Sequence, residues 1–208
     1  MVISEYSVSL TPVQAALKRS FDVSLAFSGF LLVWWLILLA WLGATLDTRS
    51  NGFFIQERVG QHGRRFRVVK IKTMRPNTSM TTTVTRSGDP RITPLGRFFR
   101  KTKLDELPQL WNVLLGQMSF VGPRPDVPGF ADALAGPDRA VLSLRPGITG
   151  PATLAYRDEE ELLAAQPDPE RYNREVIYPD KVRLNLEYIR DWSLASDIRY
   201  IWRTVFGE

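Results

Sequence analysis

VSLAFSGFLLVWWLILLAWLGATL, residues 23–46, holds 24 residues without a charge and includes Trp34, Trp35 and Trp41. A helix of that length, rising about 1.5 Å per residue, is roughly 36 Å long and covers the hydrocarbon core of a bilayer. The run is too long for a secretory signal, and no small-residue cleavage site follows it. It therefore predicts a membrane-anchoring helix with a polar body attached. Lys18 and Arg19 precede it; Arg49, Arg58, Arg64, Arg65, Arg67, Lys70, Lys72 and Arg75 follow it. Basic residues near a membrane segment prefer the cytoplasmic side. A plain single span puts one of these groups outside, whereas a re-entrant helix keeps both inside. A re-entrant helix has to bend, and Ser28-Gly29 and Gly43 are its candidates, with no proline between Pro12 and Pro76.

Working outward, charge is unevenly placed along the 208 residues. Residues 1–125 hold 17 Lys/Arg against 7 Asp/Glu, and residues 126–208 hold 10 against 15. A basic half beside an apolar segment suits anionic headgroups, phosphate substrates or both. Nucleic acid is the other usual partner of a basic chain, but no nucleic-acid motif accompanies the charge. There is no cysteine, which excludes a disulfide framework and cysteine metal sites. The single histidine, His62, lies in Gly60-Gln-His-Gly63 and reads as part of a turn.

That turn joins two strand patterns, Phe53 to Val59 and Arg65 to Lys72, as a β-hairpin. One face of the second strand would carry Arg65 and Arg67, with Lys70 or Lys72. Residues 76–90 are polar and Thr-rich and read as a loop. Leu95 to Lys103 sets Leu95, Phe98 and Phe99 against Arg97, Arg100, Lys101 and Lys103, the pattern of a basic amphipathic helix at a headgroup layer or on a core. A further helix is expected to begin at Asp105 or Glu106, with Pro108 in its first turn and Gly116 at its end. Asp105 in such a place is either an N-cap or a carboxylate held among cations. Val121-Gly-Pro-Arg124-Pro is a stiff turn offering one guanidinium. Arg145-Pro-Gly-Ile-Thr-Gly150-Pro151 reads as a rigid loop. Asp158-Glu-Glu-Glu161 is a helix start with a solvated face, or a metal site. Residues 179–190 and 196–206 read as two closing helices.

Taken in order, Lys18-Arg-Ser-Phe-Asp22, the apolar run, Gln56-Glu-Arg-Val-Gly60, Lys70-Ile-Lys-Thr-Met74, Asp89-Pro-Arg-Ile-Thr93, Leu95-Gly-Arg97, Leu104-Asp-Glu-Leu-Pro108, Gly116-Gln-Met-Ser119, Val121-Gly-Pro-Arg-Pro125 and Arg145-Pro-Gly-Ile-Thr-Gly150 resemble the bacterial sugar transferases known as small monotopic phosphoglycosyl transferases. The resemblance covers residues 15–206. It implies an α+β, mainly helical fold: a membrane-inserted, re-entrant N-terminal helix, a small β-hairpin, amphipathic interfacial helices and a cytoplasmic catalytic domain. Residues 1–50 would be the anchor, with its apolar helix over 23–46, and residues 51–208 the catalytic domain.

The implied reaction moves a sugar-1-phosphate from a UDP-sugar to a polyprenyl (undecaprenyl) phosphate, releasing UMP, at the cytoplasmic face of the bacterial inner membrane. Asp105 maps to the nucleophile and Glu106 to the carboxylate associated with Mg²⁺, with Asp105 beside it as a second metal candidate. Lys72, Arg100 and Arg124 map to phosphate-binding positions, and Arg58 and Arg145 stand inside shared motifs as further candidates. Partners implied are the UDP-sugar, polyprenyl phosphate and membrane lipids, with no nucleic acid and with a homodimer among the states allowed. Many members of the family break the apolar helix with a Ser-Pro pair; Trp34 and Trp35 stand nearest to it here. A scaffold with a basic face, or a metal-dependent glycosyltransferase releasing UDP, are the competing readings.

Overall fold

The computed structural model describes residues 9–75 and 89–207. The polar stretch expected to be a loop lies outside these residues as far as position 88. Helix α1 spans Pro12–Thr48, starting eleven residues before the apolar run. Its start is written locally. Thr11 accepts a hydrogen bond from Gln14 N–H, the Gln14 side chain answers to Thr11 N–H, and Pro12 fills the first turn.

Strands β1 (Phe53–Val59) and β2 (Arg65–Ile71) form the antiparallel hairpin, with Phe53 opposite Ile71 and Val59 opposite Arg65. Helix α2 (Pro94–Thr102) follows, capped by Thr93 Oγ1. A 3₁₀ turn, Leu104–Glu106, then leads through Pro108 into helix α3 (Gln109–Leu114). The expected single helix from the acid pair is thus split: the pair sits on a tight turn and the α-helix proper begins at Gln109. Strands β3 (Ser119–Val121) and β4 (Gly147–Thr149) pair in parallel. The segment expected to be a rigid loop supplies β4. Gly122 and Gly147 allow this pairing, because a Cβ on Gly147 would lie 2.2 Å from Gly122 N. Helices α4 (Pro151–Ala155), α5 (Glu159–Ala164), α6 (Pro169–Tyr172), α7 (Tyr178–Arg190) and α8 (Leu194–Phe206) complete the chain, α7 and α8 being the two closing helices.

Helix α1 packs on this body along one stripe. Lys18, Asp22, Ala26, Ile37, Ala40, Ala44 and Thr48 are buried, and Phe30 and Val33 bridge the interval between Ala26 and Ile37. These steps of three and four residues keep one face inward. Ala26, Phe30 and Val33 meet Phe66, Val68, Leu110 and Val113; Ala40 and Ala44 meet Ile71 and Phe99. The opposite face exposes Phe27, Leu31, Leu32, Trp34, Trp35, Leu38, Leu39, Leu42 and Leu46. The helix runs unbroken through Ser28, Gly29 and Gly43, the positions a bend would use. Gly29 and Gly43 instead face Leu110 of α3 and Leu95 of α2.

The start of α1 is clasped by three polar groups. Lys18 Nζ lies 2.6 Å from Asp197 Oδ2 of α8, with both side chains buried. Tyr188 Oη and Trp192 Nε1 donate to the same carboxylate, so the buried charges are compensated. Arg19 donates to the Val113 and Leu114 carbonyls at the end of α3, at 2.7 and 3.0 Å. Asp22 accepts from Phe120 N–H of β3 at 3.1 Å.

Helix α3 is fixed to the hairpin by one side chain. Asn112 accepts from Val69 N–H (3.1 Å) and donates to the Arg67 carbonyl (2.8 Å) and to Gln117 Oε1 (2.7 Å). Asn112→Ala would leave these buried groups without partners, each costing about 1–3 kcal/mol. We expect a loss of roughly 2–4 kcal/mol in denaturant midpoint measurements; a loss below about 0.5 kcal/mol would show that the hairpin edge does not depend on this residue.

Candidate active site

The hairpin face that meets α3 supplies two cations. Residues directly opposite in an antiparallel pair share a face, and Phe54 faces Lys70, Gln56 faces Val68 and Arg58 faces Phe66. Phe66 and Val68 are buried, so Lys70, next in period two, points inward with them. Arg65 and Arg67 lie on the other face, where Arg65 pairs with Glu57 at 3.0 Å.

The acid pair meets this face end-on. Lys103 takes left-handed backbone (φ 60°) and turns the chain out of α2, while Leu104 is anchored beside Phe99 and Ile71. Glu106 Oε1 accepts from Lys70 Nζ at 2.8 Å and from Arg124 Nη2 at 3.1 Å. Burial would raise the Glu106 pKa, but Arg124 and Lys70 outweigh it and hold the carboxyl well below the usual range. Asp105 is placed differently. Its Oδ1 is buried and has no hydrogen-bond partner. Burial, then the charge of Glu106, push its pKa up, against the pull of Lys70, Lys103 and Arg100. The N-cap of the turn that carries it is Lys103, not Asp105, and the Lys103 side chain makes no cap hydrogen bond.

Arg124 is set by the β3–β4 pair. Gly122 N–H donates to the Thr149 carbonyl and Gly147 N–H to the Pro123 carbonyl, at 2.9 and 2.8 Å, which fixes the Pro-Arg-Pro turn on both sides. Arg58 underlies that turn, donating to the Pro125 carbonyl (3.1 Å) and to Gln56 Oε1 (2.6 Å). Asp126, next in sequence, is pushed up to about 6 by burial. It accepts from Tyr178 Oη at 3.2 Å.

Of the residues named from sequence, Asp105, Glu106, Arg124, Arg58 and Arg100 gather around this point; Arg100 is ion-paired with Glu160. Two are engaged elsewhere. Lys72 Nζ binds Ser50 Oγ at 2.9 Å beside the end of α1, and Arg145 Nε binds the Gly116 carbonyl at 2.8 Å. Lys70, which sequence reasoning passed over in favour of Lys72, occupies the site. The signal was present: a lysine two residues after two apolar strand positions points where they point. Asp126, Tyr178 and the Glu159–Glu160 pair were also passed over, because their approach depends on the fold of α5 and α7.

The raised pKa gives a test by its sign. A carboxyl whose folded pKa is above its unfolded value costs stability once ionised, at pH above the folded pKa. Asp105→Asn removes that cost. We expect the variant at pH 7.5 to unfold a few degrees above the wild type in a thermal melt, as active-site substitutions can. A lower midpoint at this pH would mean that the cations stabilise Asp105 more than burial penalises it.

Comparison with known proteins gives one consistent picture. The family model described as bacterial sugar transferase matches residues 13–207. The chain is 35% identical over 211 residues to the UDP-glucose:undecaprenyl-phosphate glucose-1-phosphate transferase of Escherichia coli (strain K12), covering 99% of this chain and 43% of that protein. It is 31% identical over 204 residues to the undecaprenyl-phosphate galactose phosphotransferase of Salmonella typhimurium, covering 90% and 39%. With the exopolysaccharide production protein ExoY of Rhizobium meliloti (strain 1021) it shares 30% identity over 219 residues, covering 98% and 90%. The chain thus spans about two-fifths of the first two proteins and nearly all of the third.

Proposed function

This chain belongs to the bacterial sugar transferase family, and on that premise we propose that it transfers a sugar-1-phosphate from a UDP-sugar to a polyprenyl phosphate, giving polyprenyl-diphosphate-sugar and UMP. The observation that carries the reading is Asp105 Oδ1, buried and unpartnered among cations beside a Glu106 that is already paired.

In this reading Asp105 attacks the β-phosphorus of the donor. The bond from that phosphorus to the bridging oxygen breaks, UMP leaves with the oxygen, and an aspartyl-phosphosugar remains. A phosphate oxygen of the acceptor then attacks the same phosphorus and returns Asp105 as a carboxylate. Splitting one displacement into two suits a carboxylate nucleophile. The obstacle is repulsion, because nucleophile and donor are both anionic. Phosphoryl transfer is mostly positioning and charge neutralisation, and Arg124, Arg100, Lys70 and Lys103 supply the cations.

Among the described residues no three His, Asp or Glu groups are placed to hold a metal ion. Asp105 and Glu106 still fit Mg²⁺, which takes one or two protein carboxylates and completes its shell with phosphate oxygens and water, and the unpartnered Asp105 Oδ1 is an available ligand atom. Bound there, the ion would neutralise donor phosphate charge.

The test is release of UMP from a panel of UDP-sugars with Mg²⁺ and undecaprenyl phosphate. UMP from at least one sugar, reduced by ~10³-fold or more in Asp105→Asn, is the expected result. Release of UDP would replace this reaction by direct glycosyl transfer. Activity surviving in Asp105→Asn would remove the covalent step.

The membrane part of the proposal is monotopic: α1 enters the membrane by its exposed apolar face with both ends on the cytoplasmic side. The support is the packing stripe, which keeps the body against α1 from Lys18 to Thr48. A single perpendicular span would drag that charged body into hydrocarbon. The chain has no cysteine, so single cysteines can be introduced at Val13, on the exposed side of the α1 start, and at Arg64 in the hairpin turn. Both should stay unlabelled by a membrane-impermeant maleimide in intact cells. Labelling at Val13 alone would establish a span.

A further inference from the structure

The run Asp158-Glu-Glu-Glu161 reads from sequence as a solvated face, yet the structure brings two of its residues to the site. Glu159 accepts from Lys181 Nζ through both carboxylate oxygens, at 2.7 Å each. Lys181 also stands 5.5 Å over the Tyr156 ring, and Tyr156 Oη donates to Asp180 at 2.8 Å. The connection from α4 into α5 is therefore bound to α7 at three points. It is a fixed element, and it carries the next residue, Glu160, onto Arg100, with which it forms an ion pair. Glu159 lies close enough to Arg124 to strengthen its hold on its proton, after the larger effect of Glu106.

Resting on the donor reading above, we propose that Glu160 is a competitor for the donor's phosphates: its carboxylate occupies the Arg100 guanidinium until a diphosphate displaces it. The chemistry of the two occupants matches, since a guanidinium takes carboxylate and phosphate in the same forked geometry. The exchange is feasible because the pair is open to water. Arg100 is 28% exposed and Glu160 42%, and ion pairs so exposed are weak. A diphosphate carries more charge than the carboxylate it replaces and also meets Arg124, so it wins the exchange, while a single weak anion does not. Glu160 thereby sets a threshold on what binds, and it is ready to retake Arg100 when the nucleotide leaves.

The sign of one substitution separates this role from a structural one. A residue that holds the site together weakens binding when it is removed, and a competitor strengthens it. We expect Glu160→Gln to lower the Kd for inorganic pyrophosphate and for UDP by about threefold to fivefold, the reach of an exposed ion pair. The measurement is titration calorimetry on the full chain in nanodiscs. Arg100→Gln should weaken both probes, and in the double variant the gain from Glu160→Gln should vanish. Unchanged or weaker pyrophosphate binding in Glu160→Gln overturns the proposal, as does a gain that persists in the double variant, or the absence of pyrophosphate binding to the wild type. If pyrophosphate responds as expected but UDP does not bind, the competitor role stands and the donor reading falls.

Discussion

Among the described residues strand β2 has a strand partner on one side only, so Val69 N–H and the Arg67 carbonyl point away from β1 with no third strand to receive them. Asn112 meets both with one amide, as a neighbouring strand would. An unmatched donor and acceptor inside a protein are costly, so this edge has few acceptable arrangements. The one adopted lays α3 across the hairpin, and much of the remaining geometry depends on it. Leu110 and Val113 are carried onto Phe66 and Val68, and the turn before α3 is delivered to Lys70.

That delivery divides two adjacent carboxylates. Side by side in sequence, Asp105 and Glu106 have the same chemistry and would repel each other in one environment. The 3₁₀ turn sends them to different places. Glu106 meets Lys70 from the hairpin and Arg124 from the β3–β4 turn and is held ionised. Asp105 keeps one oxygen buried without a partner. Ionised carboxylates compete for whatever cations are near, and Lys70 and Arg124 are already in contact with Glu106. Asp105 is left ionisable at some cost, and an approaching cation or an electron-poor phosphorus would relieve that cost. In the proposed reaction the pairing of Glu106 thus leaves its neighbour free to act as the nucleophile.

Much of this was legible in the sequence wherever the signal is local. Alternation gave the hairpin to within a residue, with β1 at Phe53–Val59 and β2 ending at Ile71. The closing helices are legible over 179–190 and 196–206, within one or two residues of α7 and α8. The early start of α1 was legible too, in Thr11-Pro12 and Gln14, but the apolar run drew attention past it. What could not be read depends on pairing across distance. Residues 147–149 become a strand only because residues 119–121 lie alongside them, and three residues carry too little pattern to declare it. Lys70 and Lys72 have the same strand parity, so alternation alone cannot choose between them: β2 ends at Ile71, and Lys72, just past it, is turned to Ser50 while Lys70 meets Glu106.

The same argument limits what a basic motif says about phosphate. Lys18 and Arg19 read as orientation signals for a membrane segment, and Arg145 as a phosphate ligand. In the fold Lys18 neutralises a buried aspartate, and Arg19 and Arg145 bind carbonyls around the end of α3, at Val113, Leu114 and Gly116. A helix C-terminus is the negative end of its dipole and leaves carbonyls unsatisfied, so arginines are well used there. They steady the helix whose first turn adjoins the acid pair, and they do so from the side away from it. Counting cations in the motifs therefore overstates the charge offered to a substrate. The field at Asp105 is made by few cations, Lys70 first, then Lys103 and Arg100, with Arg124 held at Glu106 beside them, and in the proposed reaction these are the groups that an incoming diphosphate would recruit.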